Sequence, residues 1–490
     1  MAEPKEQLGR VWVIAICAGA FRLALFLRLD LYADEAYYWM WSRHPAAGYF
    51  DHPPMVAWLI SLFTPLVAGE LGVRLPFVAC GVLAVVFAGL VARELSTDPG
   101  APVVAALLAA VAPILTLTGG LALPDAPVEA AYGASTWLLA RARGRGWLWA
   151  GVAVGLALLS KLTAGLLAPA LLFLLLWDPE LRQEVKAPWP WLGALVAVGL
   201  FLPNLAWNAT HDWVAVRFQL RHGFASTVTL RSVLDYLGGL LGGPGPVVLV
   251  LGVGFLARAR TPAAKRVAAA TFLPMLVTFA AATRSPVEAN WGALVYPALA
   301  GSAAAALARL RPRLARTLVG FSAISGVLVA ILFGMEVRNP TLVPADTPFV
   351  ERFRGWRAFG ASARDAAAQA CAQIGSPAGC DGLDPFVFTT GYQEAAELAY
   401  YAGWRRFGPG LTRASQLDLW YRPPAPGSQV LESGFGFDEE NRLFRAEVEG
   451  SPVLFDVVLK GRVLHRGEIR AFSGYRGERV RRGQADLHFR

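Results

Sequence analysis

Charged side chains are scarce in this sequence. Only 17% of its 490 residues are Asp, Glu, Lys or Arg, whereas 55% are hydrophobic. A soluble protein of this length could not bury so much apolar surface, so the composition excludes an ordinary soluble enzyme or binding module. In residues 1–335 apolar runs alternate with polar stretches, and the composition of residues 336–490 is that of a mixed soluble domain. We therefore expect a polytopic α-helical membrane part followed by a small α/β or α+β domain outside the bilayer.

The sequence also lacks the common signatures of nucleotide and metal chemistry. It contains no P-loop, no dinucleotide-binding fingerprint, no CxxC pair and no HExxH. If the protein transfers a group, we expect the donor to be membrane-bound already. Cysteine is rare as well. Cys17 and Cys80 lie in apolar runs and are expected to pack there, whereas Cys371 and Cys380 could form a disulfide bond in an oxidising compartment.

Eleven apolar runs predict membrane-spanning helices, although some fall short of the ~20 residues that a bilayer usually needs. They lie near residues 11–29, 72–92, 101–118, 124–140, 147–160, 163–177, 190–207, 233–256, 267–283, 291–308 and 317–335. The first run is interpreted as a retained anchor rather than a cleaved signal peptide.

The net charge of +9 is carried mostly by arginines between these runs. The basic residues cluster in alternate connections, which by the positive-inside rule places the N-terminus in the cytoplasm and the C-terminal domain outside. This pattern indicates that the basic residues set the membrane orientation and contact anionic lipid, and it does not indicate nucleic-acid binding. The outside loop 208–232 breaks the rule, because it holds Arg217, Arg221 and His222. An anionic ligand would explain these cations.

The first outside loop, residues 30–71, combines acidic and aromatic residues. Asp34 and Glu35 stand side by side and could act as general base, metal ligand or charge partner, or simply as an acidic cap. Asp51-His52 adds an acid and an imidazole, although Asp51 could equally cap the next helix. The aromatics near Tyr37 and Tyr38 could line a lipid entry or anchor the loop at the interface.

Two further residues stand at the ends of apolar runs. Asp125 lies in the second outside turn, where it could contribute to a site or cap a helix. Lys161 lies in the outside turn between the fifth and sixth runs. An ionisable group at membrane depth is a functional candidate, and a lipid phosphate is its natural partner. The alternative is a lysine that snorkels to the interface.

These landmarks occur in an order that resembles a known family. The segments concerned are Asp34-Glu35-Ala36-Tyr37-Tyr38-Trp39, Tyr49-Phe50-Asp51-His52-Pro53-Pro54, Pro124-Asp125-Ala126-Pro127, Leu159-Ser160-Lys161, Pro203-Asn204-Leu205-Ala206-Trp207-Asn208, Glu288-Ala289-Asn290-Trp291, Tyr392-Gln393 and Ser415-Gln416-Leu417-Asp418-Leu419-Trp420. Together they resemble the bacterial GT-C glycosyltransferases related to protein O-mannosyltransferases and to the lipid A aminoarabinose transferase. The resemblance extends over nearly the whole chain.

The resemblance implies an inverting sugar transfer from a polyprenyl-phosphate sugar on the outer, periplasmic side of the bacterial inner membrane. It implies catalytic roles for Asp34, Glu35 and Asp125. Asp51 and His52 replace a Glu-Lys pair of the aminoarabinose transferase, which puts the family's metal site in doubt and leaves a divalent metal there an open question. The expected substrate-binding residues are Asp51, His52, Lys161, Tyr37, Tyr38, His211, Arg217, Arg221, His222 and Tyr296.

The resemblance leaves the acceptor open. Lipid A or the lipopolysaccharide core is the first expectation, and a polysaccharide or a secreted protein is the second. A transporter or flippase for lipid-linked sugars would also have many spans and a few buried charges, but the notable charges here lie in outside loops and no inverted repeat is visible. A scaffold protein with a decayed site is a further alternative.

Overall fold

The structure, a computed structural model, describes residues 4–224, 230–285, 287–339, 350–375, 384–410, 413–434, 442, 444–459 and 462–476. The chain divides into two compact units. The membrane unit comprises Met1–Leu27 and Ala46–Phe333, and the C-terminal unit comprises Arg28–Pro45 and Gly334–Arg490. The sequence-based division assigned the whole of loop 30–71 to the membrane part. In the structure, the helix that begins this loop packs against a helix of the C-terminal region, and so Arg28–Pro45 groups with that unit.

The helices have the following bounds. They are α1 (Pro4–Phe26), α2 (Ala33–Ser42), α3 (Met55–Phe63), α4 (Gly69–Leu95), α5 (Ala101–Val111), α6 (Pro113–Thr118), α7 (Asp125–Arg141), α8 (Gly146–Ser160), α9 (Leu167–Leu174), α10 (Pro179–Glu184), α11 (Pro188–Thr210), α12 (Val214–Phe224), α13 (Leu230–Gly242), α14 (Pro246–Leu256), α15 (Pro262–Ala282), α16 (Tyr296–Leu307), α17 (Pro312–Arg338), α18 (Trp356–Gln373), α19 (Tyr392–Glu397) and α20 (Gln416–Trp420).

Five helices in the described part of the chain are long and apolar enough to cross a membrane, namely Lys5–Phe26, Gly69–Leu95, Pro188–Thr210, Pro262–Ala282 and Pro312–Arg338. A pair bent by 92°, Val233–Gly242 with Pro246–Leu256, would add a sixth span. Every apolar run predicted from the sequence coincides with a helix or with such a broken pair. The polytopic α-helical class is thus confirmed, and the count of eleven spans stays a prediction.

Proline and glycine explain two breaks in the apolar runs. Ala112 separates α5 from α6 and is extended (φ −61°, ψ 123°), as expected for a residue that precedes a proline. Gly245 separates α13 from α14 with a φ of +87°, which only glycine adopts without strain, and Pro246 then begins the next helix. Both runs are therefore built from two short helices each.

Small residues allow the helices of the membrane unit to approach closely. α8 packs along α11, and a Cβ added at Gly151 would lie 2.1 Å from the carbonyl oxygen of Gly193. Close backbone approach through glycine is a common way to pack helices in lipid, where van der Waals contact contributes much of the association. α7 packs against both α4 and α8, so its first turn is held within the unit.

The C-terminal unit contains a mixed six-stranded sheet. Its strands are β1 (Phe386–Thr389), β2 (Arg406–Phe407), β3 (Val430–Ser433), β4 (Val448–Glu449), β5 (Val453–Leu459) and β6 (Arg462–Ser473). The order is β2-β1-β3-β6-β4, with β5 also paired to β6. β1 runs parallel to β2 and β3, and β6 is antiparallel to its neighbours.

Helix α18 covers part of the sheet, and the sheet also has an aromatic cluster of its own. α18 packs on β5 and β6, and the ring of Phe388 on β1 stacks on Phe444 with 4.6 Å between centroids. Cys371 in α18 is disulfide-bonded. Cys380, its partner in the sequence-based hypothesis, lies outside the described residues.

Candidate functional site in the membrane unit and the acidic pair of α2

A buried ion pair lies at the start of α7. The ammonium of Lys161 donates to Oδ1 of Asp125 at 2.8 Å, and both residues are buried, with 8% and 3% exposure. The amide of Asn290 donates to the other oxygen, Oδ2, at 2.9 Å. Lys161 directly follows α8 in an extended conformation (φ −154°, ψ 132°). We call Asp125, Lys161 and Asn290 the Asp125 cluster.

This geometry tests two alternatives from the sequence, a helix cap for Asp125 and a side chain that snorkels to the interface for Lys161. The N-cap residue of α7 is Pro124, which makes no side-chain cap bond, and the two carboxylate oxygens of Asp125 accept bonds from Lys161 and Asn290. The Lys161 side chain is buried against an acid and does not extend to the surface. Ionisable side chains buried at membrane depth are candidates for a functional site, and they usually pair with one another as these two do.

Two hydrogen bonds to its backbone hold the Asp51-His52 segment. Gln219 donates from Nε2 to the carbonyl oxygen of Asp51 at 2.7 Å. The backbone amide of Tyr49 donates to the carbonyl oxygen of His52. Asp51 is buried, and α3 has no side-chain cap, so Asp51 does not cap that helix. Burial also raises the pKa of Tyr49 to about 12. Within the described residues, no group of three or more His, Cys, Asp or Glu could hold a metal ion.

The acidic pair of α2 belongs to the C-terminal unit, and its two members differ. The hydroxyl of Tyr392 donates to Oδ1 of Asp34 at 3.1 Å. Glu35 is fully buried, and its Oε2 accepts from the backbone amide of Tyr32 at 2.9 Å. That bond satisfies a free amide at the start of α2, which is a structural role. Asp34 is half-buried and remains the better candidate for chemistry.

The aromatics of α2 are interior residues of the C-terminal unit. Tyr37 and Tyr38 are buried, with 1% and 6% exposure. The Tyr37 hydroxyl accepts from the backbone amide of Gln416 at 2.7 Å, and its ring lies 4.4 Å from that of Tyr392. The Arg413 guanidinium lies 4.2 Å from the centroid of Tyr392. These contacts fix the orientation of α2.

The remaining predicted residues are spread over the membrane unit. The His211 ring stacks on Trp207 with 4.1 Å between centroids, and its Nδ1 lies 2.8 Å from the Trp207 carbonyl oxygen. Arg217 and Arg221 are exposed on α12. The side chain of His222 lies outside the described part of the structure. Tyr296 is buried at the start of α16. These positions fit packing for His211 and an exposed basic surface for the two arginines.

Sequence reasoning did not assign roles to Asn290, Tyr392 and Glu129. Asn290 and Tyr392 bond to acids that are 165 and 358 residues away along the chain, so no local pattern links them. The position of Glu129 could have been predicted from the sequence. It follows Asp125 by four residues, and positions i and i+4 share a helix face.

Comparison with known proteins supports the same resemblance. Residues 51–207 match the family of dolichyl-phosphate-mannose-protein mannosyltransferases. The chain is 28% identical over 286 residues to the lipid A galacturonosyltransferase RgtD of Rhizobium johnstonii, an alignment that covers 55% of this chain and 59% of RgtD. The chain therefore matches less than two thirds of that relative's length.

Solved structures extend the similarity to most of the chain. ArnT from Cupriavidus metallidurans in the apo state matches with a TM-score of 0.64 at 16% identity, over 94% of this chain and 98% of ArnT. The same protein bound to undecaprenyl phosphate matches with a TM-score of 0.62 at 15% identity and the same coverage. The expected resemblance to the GT-C glycosyltransferases is thus confirmed, and this chain is a multi-pass membrane protein with the GT-C fold.

Proposed function

We propose that the protein is a glycosyltransferase of the bacterial inner membrane that transfers a sugar from a polyprenyl-phosphate donor to lipid A, with its site facing the periplasm. Three similarities support this proposal: the mannosyltransferase family match, RgtD, which is named for sugar transfer to lipid A, and the fold of ArnT, which binds undecaprenyl phosphate. A polysaccharide or secreted protein acceptor is the alternative within the same chemistry.

The contact that carries the proposal is the buried Lys161–Asp125 pair. Transfer breaks the bond between the anomeric carbon and the phosphate oxygen, and the bonding electrons leave with polyprenyl phosphate. A cation that is already desolvated stabilises this growing negative charge without reorganisation of water. Lys161 supplies that cation, and Asp125 with Asn290 holds it in position.

The acceptor side of the reaction needs a base. In the proposed mechanism Asp34 takes the proton of an acceptor hydroxyl, whose oxygen attacks the anomeric carbon on the face opposite the departing phosphate. One C–O bond forms as another breaks, so the configuration inverts. The bond from Tyr392 holds one oxygen of Asp34 and so orients the carboxylate.

The exposed arginines suggest the charge of the sugar. Arg217 and Arg221 lie on one amphipathic helix in a loop that topology would leave poor in arginine. We propose that they favour a donor with an acidic sugar, such as the galacturonic acid for which RgtD is named. Replacing both with Gln should weaken use of an acidic donor more than use of a neutral one. Unchanged donor affinity and turnover would refute this.

The decisive test is transfer by purified protein in lipid. Radiolabelled polyprenyl phosphates that carry galacturonic acid, aminoarabinose or mannose are offered together with lipid A, core oligosaccharide or a secreted protein. We expect transfer to lipid A by the wild type, and its loss in Asp34→Asn and in Asp125→Asn. Asp98→Asn is the matched control, because this acid is exposed and its side chain accepts a local bond from the amide of Gly100.

The other outcomes separate the rival functions. Transfer to a glycan or protein but not to lipid A would establish the chemistry and overturn the acceptor. Movement of lipid-linked sugar across proteoliposomes without any transfer would favour the transporter. Binding without transfer or movement would favour the scaffold.

A further inference from the structure

An arginine lies buried in the first spanning helix. Arg22 on α1 is 1% exposed, and none of its three guanidinium nitrogens has a hydrogen-bond partner within the described residues. The group fits against a glycine of α4 and the glycine that directly follows α6. A Cβ added at Gly81 or at Gly119 would lie 2.7 or 3.0 Å from its Nη1. The fold therefore leaves room for a charge that is costly to bury.

A buried acid provides the opposite charge. Glu129 on α7 is fully buried, and its Oε1 accepts from the hydroxyl of Thr118 at 2.8 Å. Its Oε2 has no hydrogen-bond partner in the part of the chain that the structure describes. The two groups share one region of the interior, because Thr118, which bonds Glu129, directly precedes Gly119, and a Cβ at Gly119 would lie 3.0 Å from Nη1 of Arg22.

The same acid also acts on the Asp125 cluster. Glu129 follows Asp125 by one helical turn, so the two acids lie on the same face of α7, and Asp125 is the acid that bonds Lys161. When Asp125, Glu129, Lys161 and Arg22 are all ionised, their charges sum to zero. In a medium of low dielectric, removing one of these charges changes the potential at the others strongly.

We propose that Arg22 and Glu129 form a buried charge pair that sets the affinity of Lys161 for a phosphate anion. Neither residue needs to touch the donor, so both are positioning residues. The pair keeps the cluster neutral as a whole, so that polyprenyl phosphate can leave after transfer. This inference rests on the proposed function, in which Lys161 receives the phosphate.

The proposal predicts opposite effects from two similar substitutions. Glu129→Gln removes a negative charge and should lower the Kd for undecaprenyl phosphate about tenfold, whereas Arg22→Gln should raise it about tenfold. The double variant should return to within about twofold of the wild type, and Arg22→Lys, which keeps the charge, should resemble the wild type. A purely structural role would weaken binding in both single variants.

The measurement is equilibrium binding of radiolabelled undecaprenyl phosphate to the full chain in nanodiscs. Arg266→Gln is the matched control. Arg266 is equally buried, pairs with Asp178 at 3.5 Å and donates to the Leu139 carbonyl oxygen in the last turn of α7, about 20 Å along that helix from Asp125. This variant should melt at a lower temperature and bind the lipid as the wild type does.

Each outcome gives a decision. Shifts of the same sign, or no shift, in the two single variants would overturn the inference. If Arg22→Gln does not fold, the effect is judged from Glu129→Gln and from its reversal in the double variant. Opposite shifts in a protein that transfers no sugar would overturn the proposed function alone. A wild type that does not bind undecaprenyl phosphate would overturn both.

Discussion

The hydroxyl of Tyr392 donates a hydrogen bond to Oδ1 of Asp34 across 3.1 Å. A second bond joins the same two segments, because the Tyr37 hydroxyl accepts from the backbone amide of Gln416. Asp34 is therefore positioned by residues near the other end of the chain. The proposed base and the C-terminal residues belong to one structural unit.

The first prediction concerns this bond. Tyr392→Phe should lower kcat by about 10- to 100-fold with little change in KM, since a hydrogen bond to a charged group contributes about 1.5–3 kcal/mol and each 1.36 kcal/mol is tenfold in rate. Steady-state kinetics with a saturating acceptor would measure the effect.

A matched variant separates this effect from a general loss of packing. Tyr421→Phe removes another phenol of the C-terminal unit, one that lies 3.4 Å from the Tyr475 hydroxyl, and should leave kcat unchanged. Equal losses in the two variants would show that the Tyr392 hydroxyl has no specific role.

The second prediction concerns Asn290. Asn290→Ala removes the donor to Oδ2 of Asp125 and should lower kcat about tenfold. Asn290→Asp places a second acid beside Asp125 and should lower kcat by more than about 100-fold, since like charges repel in a buried site. Better activity in the Asp variant than in the Ala variant would contradict the proposed contact.

The features of the fold and of the site that the sequence predicts are those that depend on residues close together along the chain. A membrane-spanning helix can be recognised from a short run of neighbouring apolar residues. For this reason every predicted run coincides with a helix or a broken pair. The candidates Asp34, Asp125 and Lys161 were visible because charge is rare near apolar runs.

Long-range contacts could not be predicted in this way. The pairing of Asp125 with Lys161 depends on how α7 packs on α8, which periodicity does not specify. Likewise, the assignment of Arg28–Pro45 to the C-terminal unit depends on contacts with α19, hundreds of residues later in the chain. The aromatics of that segment were expected at a lipid interface or entry, and the same contacts bury Tyr37 and Tyr38.

The third prediction concerns packing in the membrane unit. Gly193→Ala should destabilise the protein by about 1–3 kcal/mol, because its Cβ would lie 2.3 Å from the carbonyl oxygen of Trp147, a backbone atom that cannot rotate away. Gly199→Ala lies on the same helix with nothing within 4 Å of the new Cβ and should be neutral or slightly stabilising. Thermal unfolding in detergent would compare them. Equal melting temperatures would contradict the close approach of α8 and α11.

The fourth prediction concerns pH. Burial raises the pKa of Glu432 from 4.5 to about 7, although the Arg442 guanidinium beside it opposes the shift. Between these values the folded protein holds one more proton than the unfolded chain does. The free energy of unfolding should therefore fall as pH rises from about 4.5 to about 7, by about 3 kcal/mol, and this contribution is constant above that window.

The Glu432→Gln variant tests this directly, because glutamine keeps the shape of the side chain but does not titrate. Thermal unfolding of the full chain, followed from about pH 5 to about pH 8, should show a smaller fall in Tm for this variant than for the wild type. The control is Glu447→Gln, since Glu447 is exposed and pairs with Arg476 at the surface, so this variant should keep the wild-type pH dependence. An unaltered pH dependence in Glu432→Gln would mean that Glu432 is ionised in the folded protein throughout this range, with Arg442 outweighing its burial.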